Sequence, residues 1–279
     1  MRRIARTKRR LRQQANPDLL RRSWRLNCEW AERTLRIFGV HVEIRIDPDF
    51  APLARDLQLD RGGRPLLFLP SHQSILDHPV MNSVLQRPEL LAALGWSEST
   101  PCVILARAGL WKPAEVRLGP WRLSLIGASA DEADRFLTEV DGHVLLQRSR
   151  DTGNPTQLFA RKLQERPGVV YGAGTTAAHP LQCLPMQHGL FAQLPADVVV
   201  IPMVFRGIHA LWPKCPRGNL RINPGRVEVV VCPPMLGETT LLPRKRALRT
   251  QLEPATLFQA VHLASLYNPE VAAAPVLRP

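Results

Sequence analysis

Val198-Val199-Val200-Ile201-Pro202-Met203-Val204-Phe205 is the longest strongly apolar run in the chain. It is far shorter than the ~20 residues that span a bilayer. Rich in β-branched residues and unbroken by polar ones, it reads as a strand buried on both faces. Shorter runs of the same kind recur at 66–69, 101–107, 144–148, 168–171 and 226–232. Helical patterns at 77–85, 156–164 and 244–266 separate or follow them, and 40–46 alternates as a half-buried strand should. Apolar strands alternating with helices need cover on both faces of a sheet. The expected fold is therefore α/β, a mixed, largely parallel sheet flanked by helices. At 279 residues the chain is long enough for one such domain with an appendage.

The appendage is basic. Residues 1–25 hold ten Arg or Lys against one acid, Asp18, for a charge of +9 out of the chain's +13. The rest is nearly balanced, so the charge belongs to an arm that meets an anionic surface. Residues 1–15 read as a disordered or membrane-induced arm. Asn16-Pro17-Asp18 then has the form of a helix start: a cap, a proline in the first turn and an acid near the positive end of the dipole. The helix should run to about Phe38 and stop at Gly39. Leu20, Trp24, Ala31, Leu35 and Phe38 share one face, widened by Trp30 and Ile37, while Arg21, Arg22, Arg25, Arg33 and Arg36 occupy much of the rest. That pattern suits a lipid–water interface. The alternative is an ordinary surface helix packing its apolar face on the core, but the charge and the two tryptophans favour the interface. The chain divides into a basic arm and interfacial helix (1–39), a main domain (40–267) and a loose Pro/Ala-rich tail (268–279).

Cys28, Cys102, Cys183, Cys215 and Cys232 are odd in number and widely spaced, without a Cys-x-x-Cys pair. This argues against a disulfide framework and a structural zinc site and fits a reducing cytosol. No apolar segment of secretory length follows the basic N-terminus. The expected location is cytoplasmic, peripheral on the inner face of the cell membrane. Nucleic acid is not the expected partner, since the charge is confined to the arm and helix and no nucleic-acid module is recognisable.

The chemistry concentrates where the 66–69 strand ends. Pro70-Ser71-His72 turns the chain, and Asp77 follows five residues after the histidine. On an unbroken helix those two side chains would stand about 140° apart. They meet only if His72 sits in a turn and Asp77 in the first turn of the next helix. So placed, the carboxylate fixes the imidazole tautomer and stabilises its cation, which makes a general base. The residues alone leave other readings open: a chance structural pair, or a metal pair with His78 that lacks further ligands. A Gly-x-Ser-x-Gly elbow and a Gly-rich phosphate loop are both missing, which sets aside serine-hydrolase and nucleotide chemistry of those kinds.

Leu67-Phe68-Leu69-Pro70-Ser71-His72-Gln73-Ser74-Ile75-Leu76-Asp77 resembles the first motif of the glycerolipid acyltransferase family, the acylglycerol-phosphate acyltransferase-like enzymes. Other segments fall in similar order over roughly residues 26–235. Val103-Ile104-Leu105-Ala106-Arg107 is similar to a segment that usually carries lysine where Arg107 stands. Val144-Leu145-Leu146-Gln147-Arg148 is similar to the second motif, and Val200-Ile201-Pro202-Met203-Val204 to the fourth. Val169-Val170-Tyr171-Gly172-Ala173-Gly174-Thr175-Thr176 occupies the place of Pro-Glu-Gly-Thr-Arg; Gly174 and Thr175 match, while Ala173 and Thr176 replace the family's Glu and Arg.

The resemblance implies an O-acyltransferase of lipid metabolism, with His72 as general base and Asp77 orienting it. Arg107, Arg148, Gly174 and Thr175 are the implied substrate-binding residues. It implies a fatty acyl thioester donor (acyl-CoA or acyl carrier protein), a lysophospholipid or related alcohol acceptor, an anionic membrane surface and no cofactor or metal. A catalytically degenerate relative serving as a peripheral membrane-binding module is the alternative.

Overall fold

The structure is a computed structural model that describes residues 2–13, 18–108, 115–118, 121–124, 130–146, 154–172, 174, 190, 193–195, 197–212 and 222–236. In chain order these form α1 (Arg2–Gln13), α2 (Leu19–Ile37), β1 (Val40–Ile46), α3 (Phe50–Asp56), β2 (Leu66–Pro70), α4 (Asp77–Val84), α5 (Pro88–Leu94) and β3 (Val103–Arg107). A hairpin of β4 (Glu115–Leu118) and β5 (Trp121–Ser124) follows. Then come α6 (Ala130–Arg135), continued by one π-helical turn over Phe136–Val140, β6 (Val144–Leu146), α7 (Pro155–Leu163), β7 (Gly168–Val170), β8 (Val199–Arg206), β9 (Gly225–Val231) and β10 (Met235–Leu236). The expected helix at 244–266 and the tail lie outside the described residues.

The main sheet has eight strands in the order β1-β9-β8-β2-β7-β3-β6, with β10 antiparallel on β8. Strands β8, β2, β7, β3 and β6 run parallel; β9 is antiparallel to β8 and parallel to β1. The sheet is thus mixed and mostly parallel, as the apolar runs predict. Central β2 shows why its residues are all apolar. Leu66 and Phe68 face the core shared with α2, α3, α4 and α5, while Leu67 and Leu69 face the core shared with α7. Every residue of β2 is buried. Strand β8 is alike for seven of its eight residues.

Helix boundaries follow local chemistry. Asn154 caps α7, its side chain accepting from the N–H groups of Thr156 (3.2 Å) and Gln157 (3.3 Å), with Pro155 in the first turn. Helix α2 stops before Gly39, whose φ of +64° reverses the chain. A Cβ there would also lie 2.9 Å from Pro224 Cβ.

The N-terminal segment differs from expectation. Residues 2–13 form a helix docked on the domain, where the sequence suggests an arm that is disordered or ordered only at a membrane. Buried Ala5 packs against Phe136 and Val140, and Lys8 pairs with Asp141 at 2.5 Å. Arg9 and Arg12 pair with Glu132 and Glu139. The acids that fold the arm lie more than a hundred residues downstream, beyond any local pattern. Helix α2 likewise spends most of its apolar face inside: Trp24, Cys28, Ala31 and Leu35 are buried, and Trp24 Nε1–H donates to Ser99 Oγ at 2.9 Å. Trp30 is half-buried with its ring against His78. Leu20 and Ile37 stay exposed, at 39% and 70%.

Candidate active site

All the parallel strands end on one edge of the sheet, and β2 delivers His72 there. Its path is tied down just past the strand. Ser71 N–H donates to Met203 O (2.9 Å), and Ser71 Oγ accepts from Phe205 N–H (3.0 Å), so the turn is riveted to β8. Pro70 ends the strand, and the chain turns into α4, whose first residue is Asp77.

Asp77 organises this turn. Its Oδ2 accepts from Gln73 N–H (2.7 Å) and Ser74 N–H (2.9 Å) and lies 2.8 Å from His72 Nδ1. A carboxylate can only accept, so Nδ1 carries the proton and Nε2 holds the lone pair. Burial pushes the Asp77 carboxyl above the ordinary carboxylate range, an effect that the His72 contact and the two backbone donors reduce without cancelling. The His72 side chain keeps 23% exposure against 1% for Asp77. The pair therefore has a sealed anion behind an accessible imidazole. Ser74 completes the turn: its Oγ donates to Trp212 O (2.9 Å) and accepts from Leu76 N–H (3.2 Å).

Tyr171 stands directly after β7, the strand next to β2. Its ring centroid lies 4.5 Å from that of His72 with the planes tilted by 33°. Burial, followed by the nearby Asp77 charge, drives its phenol well above the ordinary tyrosine range. Sequence pattern alone gives Tyr171, inside the 169–176 segment, no role. The usable signal was its place: an aromatic residue at the end of an apolar strand beside the histidine-bearing one.

Arg107 ends β3, exposed, on the same sheet edge. Two strand spacings of about 4.8 Å separate β3 from β2. Gly174 is exposed with φ +67°, its N–H donating to Tyr171 O at 2.8 Å, which makes a tight turn just beyond β7. Arg148 and Thr175 lie outside the described residues. His78 does not join His72. It is half-buried on α4, with Nε2 3.2 Å from Asn82 Nδ2, and burial pushes its imidazole down to about 4. Among the described residues no cluster of three His, Cys, Asp or Glu could hold a metal ion. No helix among them is long and apolar enough to cross a membrane.

The described residues thus form a mixed, mostly parallel sheet with helices on both faces, preceded by N-terminal helices. The chain matches the solved structure of the 1-acyl-sn-glycerophosphate (LPA) acyltransferase PlsC from Thermotoga maritima with a TM-score of 0.53. The match covers 91% of this chain and 81% of that one at 14% identity, a likeness of fold. No protein-family model and no curated protein sequence matches the chain.

Proposed function

We propose that this protein is an O-acyltransferase that moves a fatty acyl group from a thioester, acyl-CoA or an acyl carrier protein, to the hydroxyl of a lysophospholipid or related acceptor. The observation that carries this reading is the 2.8 Å contact between His72 Nδ1 and buried Asp77, with the imidazole left accessible. The fold shared with an LPA acyltransferase supports the same reaction class.

In this mechanism the acceptor hydroxyl hydrogen-bonds to His72 Nε2. As its oxygen attacks the thioester carbonyl, its proton passes to Nε2 and Asp77 stabilises the imidazolium. The tetrahedral intermediate collapses by breaking the C–S bond, and the departing thiolate takes the proton back. No acyl-enzyme is needed. In this reading Arg107 would meet an anionic group of one of the substrates, with Arg148, Gly174 and Thr175 as further binding residues. Because Ala173 and Thr176 stand where the family has Glu and Arg, the acceptor class extends beyond glycerol phosphates. The exposed arginines of α2, with Leu20 and Ile37, would rest on an anionic membrane surface, the inner face of the cell membrane in a cytoplasmic enzyme. Working there spares a long acyl chain a transfer through water that costs about 0.8 kcal/mol per methylene.

The test is product formation by purified protein with long-chain acyl-CoA and a panel of lysolipids and simple alcohols, read by mass spectrometry. Wild type should yield an ester with at least one acceptor, and His72→Ala should yield none while remaining folded. Equal turnover in His72→Ala would remove the proposed base. A folded wild type inert toward every donor and acceptor would favour the membrane-binding module instead.

A further inference from the structure

We propose that Tyr171 is a positioning residue for His72, acting through the face of its ring rather than through its hydroxyl. The proposal rests on the reading of His72 as the base and adds a residue to it.

Asp77 holds the imidazole at one point. A single Nδ1–H···O contact leaves the ring free to swing about that axis, so Nε2 would sweep an arc instead of addressing one place. The Tyr171 ring, 4.5 Å away centroid to centroid and tilted by 33°, blocks that swing on one side. Its own position is set by the sheet. Val169 pairs with Phe68 across β7 and β2, so Tyr171 and His72 leave adjacent strands at the same edge. An aromatic face also attracts a cation. When the imidazole takes the acceptor's proton, the new charge lies between the Asp77 carboxylate and the electron-rich face of Tyr171.

The hydroxyl contributes nothing visible to this. Tyr171 OH is buried and makes no hydrogen bond among the described residues. A buried hydroxyl without a partner is a cost, so what this side chain offers its neighbour is the ring. Phenylalanine should do the same work, and an aliphatic residue of similar bulk should not.

Two variants and two readouts test this. In Tyr171→Phe, kcat/KM should stay within about twofold of wild type and thermal stability should be equal or higher. In Tyr171→Leu, kcat/KM should fall at least tenfold through kcat, and the acidic limb of its pH profile should move to lower pH, because the imidazolium has lost a stabilising neighbour. The second readout needs no turnover: side-chain ¹⁵N spectra of His72, assigned with His72→Ala. Wild type and Tyr171→Phe should show sharp ring nitrogens of the single Nδ1-protonated tautomer, and Tyr171→Leu should keep that tautomer, which Asp77 fixes, but with its Nε2 resonance shifted or exchange-broadened as the ring swings. An unchanged His72 spectrum in a folded Tyr171→Leu overturns the proposal. So does a large loss of activity in Tyr171→Phe, which would hand the role to the hydroxyl. If the wild type proves inactive with all substrates, the proposed function fails while the spectra still decide whether Tyr171 holds the ring.

Discussion

Lys8 Nζ lies 2.5 Å from Asp141 Oδ2, both side chains buried, and this pair fastens the N-terminal helix to the domain across 133 residues of sequence. Ser23 donates its hydroxyl to the other Asp141 oxygen, so α1, α2 and the end of the π-helical turn meet at one carboxylate. Burial pushes this carboxyl up, but Lys8 and the surrounding donors more than offset that and hold it below the usual range.

Removing one partner of a buried pair strands the other. Asp141→Asn should therefore cost about 3 kcal/mol in denaturant unfolding, within the range for broken buried ion pairs. The double variant Lys8→Met with Asp141→Asn should recover much of that, since no uncompensated charge remains. An additive double variant would show that the two groups do not interact.

Acid should unfold this protein earlier than its carboxylates alone require. His143 Nδ1 accepts from Ile104 N–H at 3.3 Å and His78 Nε2 sits against the Asn82 amide, so both rings are neutral. Burial pushes His143 down to about 3 and His78 down to about 4. Their folded values lie below the ordinary 6.5, so the unfolded chain takes up these two protons first as pH falls. Stability should hold above pH ~6.5 and decline as the pH drops toward 4, with a limiting slope of about 2.7 kcal/mol per pH unit for two protons. The Asp141 contribution is lost only at still lower pH. Chemical denaturation at half-unit intervals from pH 7.5 to 4.5 measures the slope, and replacing His143 with Gln should roughly halve it.

Asp77 has two jobs, and two substitutions separate them. Asparagine can keep its oxygen where Gln73 N–H and Ser74 N–H donate, and its amide group would occupy the place of Oδ1, which has no hydrogen-bond partner among the described residues. Asp77→Asn should fold with little loss of stability yet lose about 10²–10⁴-fold in kcat, because a neutral partner no longer stabilises the imidazolium. Asp77→Ala abandons two buried N–H donors as well and should cost a further 2–4 kcal/mol or so of stability. Acyl transfer and thermal unfolding measured side by side distinguish these outcomes.

Membrane affinity, if carried by α2, should track its exposed arginines and not its buried tryptophan. Trp24→Phe breaks the bond to Ser99 and should cost about 1–2 kcal/mol of stability without changing binding to anionic vesicles. Replacing Arg22, Arg25, Arg33 and Arg36 with Gln should weaken that binding by about 1 kcal/mol per charge near the surface. Vesicle sedimentation at fixed salt reads both. Reduced binding in Trp24→Phe alone would place the apolar face of α2 in the lipid.

What the amino-acid order determined by itself was the architecture and the histidine–aspartate pair. A residue buried on both sides must be apolar, so β2 and β8 announce themselves, and His72 and Asp77 are only five residues apart with one turn able to join them. Tertiary structure decided what depends on partners distant in sequence. The basic arm became a docked helix because Glu132, Glu139 and Asp141 arrive from far downstream. Trp24 went inward because Ser99 and the α4 side of the core were waiting, and a helical stripe reads the same whether it meets lipid or protein. Tyr171 met His72 because β7 pairs with β2, a choice of strand neighbour made by hydrogen bonding and packing across the whole sheet and written in no local segment.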